Sequence, residues 1–271
     1  PQARVRVSVS GSAFLLVRPS EQHDVRRVVD PAYRPDRATL IGDYLEANRD
    51  REFFVTVAHY GVHIPLQAKR ELIDKYEAKP KTDAGDPTHP VYAAMVEAMD
   101  FHLGRLLDYL KAQGQYNNTL IIFTSDNGAE ASGPADHDSF VARRGPAALG
   151  YHTDYERLGL RGSYNTISPG FASAAASPLA WYKFYAGEGG MRVPLIVAGP
   201  GVSSQGELNH AFAFVTDITP TVLSLAGTAP PGARYGGRPV APMIGRDLRP
   251  LLAGEAERVY GPQDAVGYEL A

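Results

Sequence analysis

With 271 residues and 44% hydrophobic content, the chain can bury one large α/β core, and it holds no run of 18 apolar residues that would span a membrane. Its 27 basic residues nearly balance 30 acidic ones, and a net charge of −3 gives no electrostatic footprint for nucleic acid or an anionic membrane surface. Cysteine is absent, which excludes a disulfide framework and a thiolate site, while 21 prolines and 27 glycines point to many turns rather than a helical bundle.

Residues 1–30 carry little signal. Arg4 to Val9 alternates polar and apolar side chains as a half-exposed strand does, and residues 13–17 continue it past Gly11. The chain opens on Pro1 and closes just after Tyr268-Glu269-Leu270, which reads as an unfinished strand, so a fragment truncated at both ends is expected. Residues 36–48 read as an amphipathic helix, with Asp36 as N-cap and Leu40, Ile41, Tyr44 and Leu45 as its apolar stripe. Residues 53–58 then form a buried-strand candidate that runs into His59-Tyr60-Gly61-Val62-His63-Ile64-Pro65. Pro65 disfavours a helical backbone at Ile64 and so sets His63 on an extended loop. Histidines in such places more often serve as surface or hydrogen-bonding groups than as functional ones, and His59 is the weaker candidate of the two.

A polar connector over residues 79–89 leads into a helix over 90–113, with Pro90 in its first turn and Val91, Met95, Ala98, Leu106 and Leu110 at helical spacing. Gly114 stops it, and Asn117-Asn118 turn the chain into the apolar run 119–125. A helix followed by a buried strand is half of a βαβ unit, so the strands near 53 and 119 are expected to lie parallel in a mostly parallel central sheet flanked by helices. The second strand ends in Asp126-Asn127-Gly128. Strand carboxyl ends open onto the ligand crevice of α/β sheets, and a carboxylate and an amide there offer hard oxygen ligands to a divalent cation. The same three residues equally suit a plain turn.

The stretch 129–177 is long and rich in Gly, Ala, Ser and Tyr. Its His137, Asp138, His152 and Asp154 fit no ligand spacing and read as solvated loop residues, whereas Tyr151, Tyr155, Tyr164, Phe171 and Trp181 suggest a lid or pocket wall. Lys183 sits amid aromatics, where it either snorkels or serves as a point charge beside an anion. Residues 195–198 form a third buried strand. A helix follows Asp217, with Thr219 as N-cap and Pro220 in the first position, and ends at Gly227. The tail is turn-rich, with one apolar element near 248–252.

Four segments in order resemble the sulfatase family of the alkaline phosphatase superfamily, most nearly the bacterial arylsulfatases. They are Phe53-Phe54 through Val62-His63-Ile64-Pro65-Leu66-Gln67, then Phe123-Thr124-Ser125-Asp126-Asn127-Gly128, then Tyr182-Lys183 with Gly187-Glu188-Gly189-Gly190-Met191-Arg192-Val193-Pro194, and last Phe214 to Thr221. The match covers about residue 33 to the C-terminus, dividing the chain into a lead segment 1–32, a sulfatase-like portion 33–229 and the start of a C-terminal region over 230–271. The resemblance implies a small sulfate ester as substrate and Asp126 and Asn127 as ligands of Ca²⁺ or another divalent cation. It also implies His63 and Lys183 as contacts to the sulfate and its leaving oxygen, while Glu188 and Arg192 buttress the loop.

The departure from the family is as definite as the match. Formylglycine, the family's nucleophile, arises from Cys or Ser in Cys/Ser-x-Pro/Ala-x-Arg, and these 271 residues hold no such motif. The paired N-terminal aspartates of the metal site, and the Lys and His after the nucleophile, have no counterpart either. Sulfate ester hydrolysis is therefore expected of the full enzyme, with this chain inactive alone. The alternatives are a phosphate or phosphonate monoester hydrolase of the same superfamily and a non-catalytic binding protein.

Overall fold

The computed structural model describes residues 12–17, 37–59, 61–79, 89–131, 145–152, 154–204 and 206–267. The apolar runs become strands β1 (Ser12–Val17), β2 (Phe54–His59), β3 (Leu120–Thr124) and β4 (Leu195–Ala198), in the sheet order β2-β1-β3-β4. β1 pairs antiparallel with both neighbours, setting Phe14 opposite Val57 on one side and Phe123 on the other, and β4 pairs antiparallel with β3. β2 and β3 therefore point the same way, as the helix between them requires, but β1 separates them. The expected mostly parallel sheet is thus met in the common direction of β2 and β3 and in none of the pairings among the described strands. The reason is physical: a strand buried on both faces shows the same continuous apolar run whichever way its neighbours point.

β4 corrects a second expectation. It is an edge strand, not a buried one, and Leu195 and Ile196 stand 38% and 58% exposed. Apolar, β-branched composition favours a pleated surface but does not say whether a second partner will cover it.

Helices cover both faces of the sheet. On one face, α1 (Arg37–Ala47) and α3 (Pro90–Ala112) bring Ile41, Leu45, Leu106 and Leu110 against Val55 and Val57 of β2 and Ile121 of β3. On the other face, Leu120 and Ile122 meet Val222 of α6 (Ile218–Leu225). The period-two alternation along β3 thus feeds two cores at once. A third core joins α2 (Arg70–Glu77) to α3 and α4 (Ser168–Ala176) through Leu66, Ile73, Val91, Met95, Ile167 and Ala172, beneath the loop that carries His63. At the start of α3, the Nδ1 of His89 accepts from the backbone N–H of Tyr92 at 3.3 Å, with Pro90 following it. Burial holds the His89 pKa down, which keeps the ring neutral and able to accept. The N-cap expected at Asp36 and the strands expected near residues 4–9 and 268–270 lie outside the described residues. No helix among the described residues is long and apolar enough to cross a membrane.

The helix after Asp217 starts earlier than its cap residues suggest. A 3₁₀ turn over Val215–Asp217 leads straight into α6 at Ile218, so Thr219 lies inside the helix rather than capping it. Pro220 is tolerated there because the first backbone N–H groups of a helix have no intrahelical acceptor. Asp217 is fully buried and acts as a hub. Its carboxylate accepts from the N–H groups of Phe214 (2.7 Å) and Arg246 (2.8 Å) and from the Tyr260 hydroxyl (2.6 Å). Thr221 extends the knot, donating to the Asp217 carbonyl at 2.6 Å and accepting from the N–H of Leu248, beside the short helix α7 (Arg249–Leu252). Arg246 in turn grips Asp264 through two nitrogens at 2.6 and 2.7 Å, and with the N–H of Gly261 holds that carboxyl down at about 2.

Two predictions follow from packing and from this knot. Leu110 is completely enclosed, so Leu110→Ala should cost about 2–5 kcal/mol in a urea unfolding titration. Burial, and then the hydrogen bond and charge of Asp217, push the Tyr260 hydroxyl up to about 12, against about 10 in an unfolded chain. The unfolded state therefore ionises first, so this contribution is intact below about pH 10 and is lost as pH rises toward 12. Tyr109 behaves alike, through burial and its bond to Glu46. The denaturation midpoint should fall over that range, and Tyr260→Phe should be less stable at pH 8 yet show a shallower alkaline fall.

Candidate functional site

Because β2 and β3 point the same way, the loops at their carboxyl ends emerge on one edge of the sheet. Residues 61–64 and Leu66 from the first loop and 125–130 from the second line a cavity of about 90 Å³, closed by Tyr92 and Ile167. That is room for about three waters' share of liquid, the scale of a small oxyanion or hydrated ion rather than of a whole drug-sized ligand. His63, Asp126 and Asn127 all lie on this cavity. So does Glu130, which the motif pattern did not single out.

Short-range bonds shape each of these groups. The Nδ1 of His63 lies 2.9 Å from the Ile64 carbonyl, and a carbonyl only accepts, so the bond needs the proton on Nδ1. Nε2 is then the nitrogen left to take or give a proton. The amide nitrogen of Asn127 donates to the Gly128 carbonyl at 2.8 Å, and the Ser125 hydroxyl donates to the Asn127 carbonyl at 3.0 Å. This turn does not use the Asn127 side-chain oxygen as an acceptor, and Asn127 and Asp126 both line the cavity. The two residues supply the hard oxygens that suit Ca²⁺, but only two of the six to eight it prefers. Among the described residues no group of three or more His, Cys, Asp or Glu side chains gathers to hold a metal.

Lys183 reaches the cavity through Glu130. Its ammonium lies 2.7 Å from the Glu130 carboxylate, with both side chains largely buried, and its backbone N–H donates to the Ala129 carbonyl at 2.9 Å. Tyr164 packs edge-on against Tyr151 at 5.9 Å, and its pKa is raised by burial and by the nearby charge of Glu130. Tyr151, Tyr164 and Phe171 thus pack down as expected, while Tyr155 and Trp181, of which the same was expected, stay 83% and 56% exposed. Asp154 accepts from the N–H of Glu156 within a turn, and neither it nor His152 lines the small cavity. His137 and Asp138 lie outside the described residues. The only advance signal for Glu130 was its opposite charge to Lys183 and its place three residues past Asn127.

The glycines of the third segment have a steric reason. The N–H of Gly128 donates to the Gly190 carbonyl at 2.9 Å, and a Cβ on Gly128 would stand 1.8 Å from the Gly189 carbonyl oxygen. Gly189 is enclosed from its other side, where a Cβ would lie 1.9 Å from the Trp181 carbonyl oxygen. Residues 180–185 are therefore wound tightly against the short helix α5 (Glu188–Met191), with Trp181 and Phe184 forced to φ of +69° and +75°. For bulky residues such a backbone costs about 1–3 kcal/mol each, and it persists only where the surroundings over-determine it. Arg192 and Glu188 lie 3.6 Å apart on the outer surface, with the Arg192 N–H donating to the Glu188 carbonyl at 2.7 Å, away from the small cavity.

The comparisons with known proteins agree with one another. The family described as Sulfatase matches residues 22–228. An uncharacterized sulfatase of Schizosaccharomyces pombe is 39% identical over 153 residues, covering 56% of this chain and 27% of its own. The arylsulfatase of Klebsiella aerogenes is 33% identical over 192 residues, covering 69% of this chain and 38% of its own. Among solved structures, the PsFucS1 sulfatase from Pseudoalteromonas sp. superposes with a TM-score of 0.50 at 25% identity, over 80% of this chain and 33% of that one. The chain thus spans well under half the length of these relatives.

Gly128→Ala tests the close approach directly. The added methyl has backbone on one side and no flexible neighbour to displace, so a loss of about 1–3 kcal/mol is expected. Thermal melting checks it, and an unchanged melting temperature would show that the two segments are not locked at this point.

Proposed function

The chain belongs to the sulfatase family, and from that premise we propose that it serves in the hydrolysis of sulfate monoesters, those of aryl alcohols first, at the rim formed by His63, Asp126, Asn127 and Lys183. The observation that carries the proposal is the meeting of three of these residues, from two separate loops, on one cavity of about 90 Å³, with Lys183 joined to it through Glu130.

The chemistry asks for what this rim offers. A sulfate monoester is anionic, and as its ester bond breaks, further negative charge gathers on the leaving oxygen. Lys183 supplies a compact positive charge, held beside the cavity by Glu130. His63, with Nδ1–H tied to the Ile64 carbonyl, protonates the departing oxygen from Nε2 when the ring is in its imidazolium form, and becomes the neutral Nδ1–H tautomer in doing so. Asp126 and Asn127 would hold a divalent cation, whose charge draws electron density from a sulfate oxygen. The relative from Klebsiella aerogenes bears the name arylsulfatase, which favours a phenolic leaving group.

These 271 residues encode neither the formylglycine nucleophile, since they contain no cysteine and no Ser-x-Pro/Ala-x-Arg, nor the paired aspartates and the Lys and His that accompany it in the family. The chain alone should therefore release no 4-nitrophenol from 4-nitrophenyl sulfate. Joined to a sulfatase segment that supplies formylglycine, it should turn over. In that form Asp126→Ala should abolish metal-dependent activity, and Lys183→Ala and His63→Ala should each lower kcat on the order of 10²-fold or more. Turnover by residues 1–271 alone would mean that another nucleophile acts here. A hybrid that prefers 4-nitrophenyl phosphate would move the assignment to phosphate esters.

A further inference from the structure

The loop over residues 181–185 divides its side chains by chemistry. Tyr182 packs inward against the core below the His63 loop, and Lys183 turns to Glu130. Trp181, Phe184 and Tyr185 face outward, 56%, 58% and 43% exposed. Trp181 stacks on Tyr185 with ring centroids 4.8 Å apart and planes inclined by 20°, and Tyr182 braces Tyr185 edge-on at 5.2 Å. The Phe184 ring lies beside the cation itself, its centroid 5.2 Å from the Lys183 ammonium. An aromatic shelf thus begins where the ammonium ends.

Two physical costs meet in this loop. Exposed aromatic surface forgoes the stabilisation of burial, and two of the three outward residues hold a left-handed backbone that bulky side chains avoid. The turn is nevertheless rigidly imposed, by Lys183 N–H to the Ala129 carbonyl and by Gly189 N–H to the Ala180 carbonyl at 2.9 and 2.8 Å. Strain kept in place by its surroundings, beneath exposed aromatic rings on one short loop, marks a binding surface.

We propose that Phe184, continued by the Trp181–Tyr185 stack, is the shelf on which the aromatic ring of the leaving alcohol lies while Lys183 meets its sulfate. The inference rests on the sulfate ester reading of the same rim and adds the residues that select the alcohol. Exposed ring faces take a flat partner by offset or edge-on stacking, which a small alkyl group cannot match. One anionic, ring-bearing molecule then answers the cation and the shelf together.

Trp181 is the single tryptophan of the chain, so its emission reports on the shelf without interference. The test titrates the 271-residue protein, with Ca²⁺ in excess, against phenyl sulfate, methyl sulfate and inorganic sulfate, following heat and Trp181 emission. Phenyl sulfate should bind tenfold or more tightly than methyl sulfate, and it alone should change the emission saturably. Phe184→Asn removes the ring but keeps a residue that accepts the left-handed backbone. It should erase most of the phenyl preference while leaving the methyl sulfate affinity and the melting temperature unchanged, and Phe184→Tyr should restore the preference. If both esters bind, compete with inorganic sulfate and weaken in Lys183→Ala, yet Phe184→Asn leaves their ratio unchanged, the shelf is overturned and the sulfate site stands. If none of the three binds, the shelf is overturned, and the sulfate ester reading stands or falls by the hybrid assay alone.

Discussion

Everything at the site depends on how closely two backbones approach at Gly128. Its N–H meets the Gly190 carbonyl, and the Gly189 carbonyl oxygen occupies the place where any other residue would carry Cβ. This contact ties the strand that ends in Asp126-Asn127 to a segment some sixty residues further along the chain. From it follow the Lys183 N–H bond to Ala129 and the ion pair with Glu130. The Asp126-Asn127 turn and the Lys183 loop are brought to one rim by backbone packing before any side-chain charge acts. The attraction between charges then settles the details.

Charges in this protein are placed by the same logic in two regions. Lys183 and Glu130, both largely buried, compensate one another where either alone would lose its hydration unpaid. Asp217, fully buried, is satisfied chiefly by neutral donors, with two backbone N–H groups and a tyrosine hydroxyl around its carboxylate. The first arrangement sets a neutralised ion pair at the cavity, with the Glu130 side of the pair on its lining. The second stitches the tail to α6. Similar carboxylates are thus satisfied by a cation in one place and by neutral donors in the other, according to what surrounds them.

Much was legible before any coordinates because the signals are local. The apolar stripe of Ile41 and Leu45 and the spacing of Val91, Met95, Leu106 and Leu110 set helices within a residue or two of their ends, since side chains three and four apart share a helix face. The strands near 54 and 120 were legible as β-branched runs. The candidates His63, Asp126, Asn127 and Lys183 came from ordered motifs, and the structure sets them about one rim, three on the cavity and the fourth through Glu130. Thr219 was misassigned as a cap because cap residues act through geometry, and the 3₁₀ turn at Val215–Asp217 had already started the helix.

By itself, then, the sequence determined the α/β character, the places of the main helices and of β2 and β3, and the ordered motifs of a sulfatase. Each of those rests on neighbours within a few residues. Tertiary structure alone decided that β1 separates β2 from β3, that β4 lies at an exposed edge, and that Glu130 meets Lys183. It alone showed that Trp181, Phe184 and Tyr185 face outward from a strained turn. These are matters of which distant surface comes to lie against which, and a run of apolar or aromatic residues has the same composition whether or not a partner covers it.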